Sequence, residues 1–499
     1  MNIRKLLTRL VSLALIAVFL PTVAMADTWY LEDGSITVSA TDSGQNVSQG
    51  GVTKEDSAPV IRNRDSSAST TNNVTIRADT GATANVTLED TNIDTTGGAG
   101  PNGAGDAAVR TEGGGNVNLN VELDNTLQSG NTRAGVEKGN GGNLTIGSES
   151  GSGQLVATGG SSGAGIGGGE NTGAENITIT GGDIFATGNH GAAGIGGGWR
   201  GNGTDITITG GNITAVGKTE SSRDVGGAGI GGGGNQTSDP GIGSNIKITG
   251  GSVTAVGGNY AAGIGGSYLS KGENITIIDA EVIAKGGANG AGIGGGDSGD
   301  GSNISISGNA NVKAAGGASD GEIGDGAAIG AGGIYRNGQP VRGEERDVNT
   351  SGLTGSIERL PAGTTFDIPQ PKPRSSFPKP APDPVAVEEE PQPVKAALYR
   401  VIDDAGKALP VETKQEDGVL LLTAQSDIAI LEGAISGLQT LQSRGIDTIT
   451  FTNGTISVSF SLAEVIAKGA SSDIYRLSLS GGEANFTLAD ADITALLGK

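Results

Sequence analysis

The stretch GAGIGGG at residues 163–169 constrains this chain more than any other feature. It returns at 227–233 and 290–296, with near-copies AAGIGGG at 192–198 and AAGIGG at 261–266. Aligning the apolar residue of each unit gives Val109, Val136, Ile166, Ile195, Ile230, Ile264, Ile293 and Ile329, in steps of 27 to 36 residues. Such steps describe one fixed unit that carries loops of varying length. Gly163, Gly165 and Gly168 also spell G-x-G-x-x-G, the dinucleotide-binding turn, which must follow a strand and open a helix. The residues after it are ENTGAENITIT, too rich in Gly and β-branched residues to continue as a helix, where each Gly costs about 1 kcal/mol. The glycines therefore read as tight corners at which Ile points inward. The nucleotide reading fails.

Two further segments recur between corners. One reads NITIT (176–180), DITIT (205–209), NIKIT (245–249), NITII (274–278) and NISIS (303–307); the other reads DIFATG, NITAVG, SVTAVG, EVIAKG and NVKAAG. Both alternate apolar with polar or small residues, the period-2 signature of a half-buried strand. Three short strands per repeat make one coil of a β-solenoid, so the fold class is all-β: a single-stranded parallel β-helix of about eight coils. Ile166, Ile177, Ile179, Ile184 and Ala186 are expected to face inward and to stack about 4.8 Å from their counterparts in the next coil. The repeat domain is expected over 70–340, with residues 27–69, including Trp29-Tyr30-Leu31 and the Asp33-Gly34 turn, as a cap on its first edge. Ten of the sixteen prolines fall within 361–394, so 341–394 reads as an extended Pro-rich linker. Residues 395–499 have ordinary globular composition and read as a small α+β module. Within it, SDIAILEGAISGLQTLQ predicts a helix behind Ser426, and Asn453-Gly454 predicts a hairpin.

Composition narrows the chemistry. Arg4, Lys5 and Arg9, an apolar run from Leu10 to Leu20, and Ala24-Met25-Ala26 predict a signal peptide over 1–26, and thus a secreted protein with no covalent anchor. Removing those three cations takes the formal charge from −22 to −25. Such a surface repels nucleic acid and anionic lipid, and no membrane-inserting segment remains. There is no Cys, and His190 is the only histidine. Thiolate nucleophiles, histidine triads and multi-histidine metal sites are therefore excluded within one chain.

The run from TWYLEDGSITV through the AGIGGG…NITITGG repeats resembles exported bacterial proteins labelled carbohydrate-binding domain proteins, over roughly residues 27–340. That resemblance implies a right-handed parallel β-helix, related in architecture to pectin-degrading enzymes, and polysaccharide binding, often with calcium. It brings no ligand motif that can be carried over residue by residue.

The candidate site residues are few. Counting four past the corner Ile places Trp199 and Tyr268 in one column, two coils apart, with Arg200 and Tyr260 beside them. Aromatic rings with a polar handle on an exposed corner suit stacking on sugar faces. Asp297 and Asp300 are the one metal candidate, for calcium; no cofactor is otherwise required. Asp183, Asn212, Ser252 and Glu281 occupy one column, so no acidic column of the lyase kind forms. Asn176, Asn274 and Asn303 read as turn residues able to stack in a ladder. Rows of outward Thr, among them Thr178, Thr207 and Thr276, read as exposed strand positions, and Lys247 and Ile278 interrupt them too soon for a flat ice-binding array. Outward Phe185, Val216, Val256 and Ile283 read as an apolar strip that docks another part of the chain. The expectation is a secreted, non-catalytic carbohydrate-binding or adhesion protein whose partner is a plant or microbial cell-wall polysaccharide. A polysaccharide lyase or hydrolase on the same fold, and a ligand-free surface stalk, are the alternatives.

Overall fold

The computed structural model describes residues 27–97, 105–219, 225–235, 241–374, 399–404, 409, 411–416, 418–424, 426–443, 446–470, 473–489 and 491–498. The expected signal peptide lies outside them. The chain divides into two compact units, Met1–Ala381 and Pro382–Lys499.

The first unit is a parallel β-solenoid. One coil shows the plan: Ile195–Gly196 belongs to sheet one, Gly203–Ile208 to sheet two and Asn212–Val216 to sheet three. Sheet two stacks ten parallel strands and sheet three nine; sheet one has twelve strands, of which ten are parallel rungs. Registry is set by apolar columns. Ile177, Ile206, Ile246, Ile275 and Ile304 stack through sheet two, and Ala186, Ala215, Ala255, Ala284 and Ala314 through sheet three. Every inward residue expected from the sequence is fully buried. A single coil cannot bury its own apolar side; stacking makes one continuous core.

Sheet one has ten rungs, two more than the Gly-rich spelling marks. Ile36–Thr41 pairs parallel with Val74–Ala78, which pairs with Val109–Glu112. These two rungs are ordinary strands without the Gly corner, which is why the spelling misses them. Within the expected cap, Thr28–Tyr30, Ile36–Thr41 and Val60–Arg62 are thus rungs of the stack. The edge itself is covered by the antiparallel strands Gly44–Gln49 and Val52–Glu55. At the other end Glu345 replaces the next rung: its carboxylate accepts from the N–H groups of Ala328 (2.7 Å) and Ile329 (3.2 Å) and is held by Arg342 and Arg359. The two N–H groups that Glu345 accepts from are thereby withdrawn from pairing with another chain.

The stretch read as linker begins as part of the solenoid. Ser356–Leu360 adds the last strand of sheet three, in register with Asn311–Ala315. Residues 363–374 then run back along that sheet. Gly363 N–H donates to the Gly316 carbonyl (2.9 Å) at the last coil. Lys372 exchanges two backbone hydrogen bonds with the Gln154 amide (2.8 and 3.2 Å), and its ammonium pairs with Asp183 (2.6 Å). Arg374 reaches Asp90 (2.9 Å) and the Thr91 carbonyl. Between these anchors Thr364, Phe366 and Ile368 are half-buried, alternating with exposed neighbours. Thr214 and Thr254 point outward from sheet three between the same anchors, yet are only 5% and 4% exposed. Phe185, Val216, Val256 and Ile283, the outward strip expected to dock another part of the chain, are half-buried on the sheet along which this strap runs. Composition misleads here because proline stiffens an extended segment whether it is solvated or seated on a sheet.

Burial pushes the Asp183 carboxyl up, but hydrogen bonds from Lys372 and Asn212, with the Lys372 charge, hold it below its ordinary value. A depressed folded value means that the contribution is present above the unfolded pKa and is lost as pH falls through the folded one. Gln154→Ala, which removes the acceptor for the Lys372 N–H, is expected to raise amide exchange at Lys372 at least about tenfold without altering exchange in the corner strands. Acid, at pH below the usual carboxylate range, should do the same; unchanged exchange under both conditions rules out a docked strap.

The second unit has a five-stranded antiparallel sheet and a four-stranded mixed sheet. Its core packs Phe451, Phe460, Tyr475 and Phe486 with helices Ile435–Ser443 and Leu462–Ile466. The Asn453-Gly454 hairpin forms as expected, joining Thr448–Thr452 to Ser457–Ser461. The helix expected behind Ser426 does not begin there. Ile428–Ala434 is a strand paired along seven residues with Ile474–Ser480, and the helix starts only at Ile435. Short apolar runs satisfy both periods, and cross-strand pairing decides. No helix among the described residues is long and apolar enough to cross a membrane.

Candidate functional site

Sheet two presents an open polar surface. Five of its strands carry, at or near their start, a residue in the left-handed region: Asn176, Asp205, Asn245, Asn274 and Asn303, with φ between 51° and 57°. Asn and Asp tolerate this backbone better than other non-Gly residues because their short side chains bond locally. Here they bond along the stack. Asn245 donates to Asp205 (3.0 Å), Asn274 to Asn245 (3.0 Å) and Asn303 to Asn274 (2.6 Å). The ladder anticipated for the asparagines is formed from Asp205 to Asn303, through Asn274 and Asn303 but with no bond to Asn176, and it stands in solvent.

Two residues further along each strand comes a second outward column, Thr145, Thr178, Thr207, Lys247 and Thr276. Asn143, Asn176, Asp205, Asn245 and Asn274, with Thr178, Thr207, Lys247 and Thr276 of the second column, line a groove of about 370 Å³ that crosses five successive coils. At about 4.8 Å per coil, four steps give a track of roughly 19 Å. Hydroxyls and carboxamides repeat along it, each able both to donate and to accept. Sequence reasoning treated Asn and Thr as separate local preferences. The signal for the groove was their fixed separation of two residues in every repeat.

The aromatic corner is assembled differently. Residues four before and four after each corner Ile meet across sheet one. At Ile264 these are Tyr260 and Tyr268, edge to face at 6.0 Å between centroids. At Ile293 they are Asn289 and Asp297, hydrogen-bonded at 3.0 Å. At Ile195 they are Gly191 and Trp199, so close that a β-carbon on Gly191 would lie 2.7 Å from Trp199 Cδ1. The Arg200 guanidinium lies 3.9 Å over the Trp199 ring and donates to Asn235 (3.3 Å). Tyr260 donates to Asp320 (3.3 Å). Burial and the charge of Asp320 both push the Tyr260 phenol above its ordinary pKa. Trp199 and Tyr268 do share a column two coils apart, but both are half-buried, and each is packed on its partner across the corner. The partner four before the Ile went unseen for Trp199 because it is a glycine.

The two acids proposed for calcium face different partners. Asp297 is fully buried, accepting from Asn289 and from Ser298 (2.7 Å), and burial pushes its carboxyl above the ordinary value despite those bonds. Asp300 is exposed and held by Arg346 through both oxygens. No group of three or more His, Cys, Asp or Glu able to hold a metal occurs among the described residues.

The chain matches the β-helix repeat model. The matches cover residues 177–199, 206–234 and 246–268, the coils that carry most of the groove. No curated protein and no solved structure matches the chain.

Proposed function

We propose that this is a secreted, non-catalytic carbohydrate-binding or adhesion protein that holds a linear glycan in the groove of sheet two. The observation that carries the reading is the groove itself: an open polar track over five coils, lined by side chains that donate and accept at each step. A glycan presents hydroxyls of the same dual character at a comparable repeat, and wet polar contacts of this kind give specificity without deep burial. Hydrolysis by paired carboxylates needs two acids flanking one bond. Asp205 is the one carboxylate among the described residues lining the groove, which supports binding over hydrolysis.

Thr207→Arg places bulk in the middle of the track while leaving the buried Ile206 and Ile208 untouched. It should abolish retention on any polysaccharide that the wild-type protein binds in a glycan-array screen, with stability within about 0.5 kcal/mol of wild type. Wild-type retention by this variant would place the binding surface elsewhere.

A further inference from the structure

Beside the groove, on three of the same coils, lies a second cleft of about 350 Å³. Lys138, Asn140, Glu175, Asn202 and Thr204 line it. The two clefts are continuous in sequence: Asn143, Asn176 and Asp205, at the start of the groove, come within one to three residues of these.

Lys138 is the unusual member. It is 7% exposed, and its ammonium donates one hydrogen bond, to the Asn140 carbonyl. No carboxylate among the described residues lies within ion-pair distance of it. A buried ammonium has three N–H donors, and leaving donors unused in a protein interior is costly. Burial lowers its pKa, and the negative charge of Glu175 only partly opposes this. Asn140 itself is committed: its amide donates to the Gly115 carbonyl (2.8 Å) and its oxygen accepts from Thr111 (2.9 Å). Glu175 and Asn202, by contrast, are exposed on the rim.

We infer that this cleft is the anchoring subsite of the glycan track, taking one ring of a neutral sugar polymer. Lys138 donates to a ring hydroxyl oxygen while Glu175 accepts from a neighbouring hydroxyl. A vicinal diol both donates and accepts, so it satisfies a cation and a carboxylate together. An acidic sugar would bring its carboxylate against Glu175, and Asp205 just beyond, on a chain of formal charge −22. The inference rests on the reading of sheet two as a glycan-binding face.

The test uses the full chain and isothermal titration with mixed-linkage β-glucan, galactomannan and polygalacturonate, on wild type, Lys138→Met, Glu175→Gln and Thr207→Arg. The expected result is binding of a neutral polymer and weak or no binding of polygalacturonate. Lys138→Met should weaken neutral binding about tenfold or more, and Glu175→Gln severalfold, because hydrogen bonds to charged groups are the stronger ones. Should Lys138→Met fail to fold, Glu175→Gln on the exposed rim carries the test alone. Wild-type affinity in both variants, with loss in Thr207→Arg, overturns the subsite and leaves the groove standing. Preference for polygalacturonate that depends on Lys138 overturns the neutral class. Failure of the wild-type protein to bind any polymer overturns the groove and the subsite together.

Discussion

Gly231→Ala is expected to destabilise the solenoid by about 4 kcal/mol or more, although it adds one methyl group. Gly231 has φ of +135°, a region that L-residues rarely adopt. Its β-carbon would come 2.1 Å from the Gly265 carbonyl oxygen of the next coil. That oxygen cannot move aside, because it accepts from Gly232 N–H (3.0 Å) and so belongs to the bond that joins the coils. The same position in the other corners is Gly167, Gly196, Gly265, Gly294 and Gly330, all with φ between +131° and +144°. Gly352→Ala is the control: φ is +77°, but nothing lies within 4 Å of the new β-carbon, so only the backbone cost of about 1–2 kcal/mol applies. Urea unfolding of the two variants should show a much larger midpoint shift for Gly231→Ala. Equal shifts would mean that conformation alone, and not the approach of successive coils, demands glycine at the corner.

Ile195→Asp should be comparably severe for a different reason. Ile195 is fully buried between Ile166 and Ile230. A carboxylate there has no partner, so it either stays charged at great cost or takes up a proton. Its folded pKa would lie above the unfolded one, which places the smaller deficit at low pH and the larger deficit as pH rises. A loss of about 4–5 kcal/mol at neutral pH, smaller near pH 4, is expected. Thr178→Asp on the outside of sheet two should cost no more than about 1 kcal/mol. Similar melting temperatures for Ile195→Asp and Thr178→Asp would contradict the inward register of the corner.

The repeat fold was legible in the residues. Alternation of Ile with Thr, Asn or Ala assigns each side chain to one face, and the recurring Ala-Gly-Ile aligns coil on coil despite loops of unequal length. Corner glycines and stacked Ile are local consequences of a local pattern, so sequence alone determined them. Even the column shared by Trp199 and Tyr268 comes from counting.

Only the tertiary structure decided which residues meet across coils or across the corner. Gly191 under Trp199 carries no side chain to betray a contact, and Asn289 with Asp297 becomes a pair only once two turns close over sheet one. Lys372 meets Asp183 across 189 residues of chain, a contact that no local preference for extended, Pro-rich backbone encodes. The rungs at Ile36 and Val74 are held by pairing with neighbouring coils, not by a spelling. Lys138 is a surface residue by type, and only the coils around it bury it in the cleft beside the groove. Short-range periodicity places a residue on a face; what covers that face depends on segments far away in the chain, because burial is a property of the folded assembly and not of the strand.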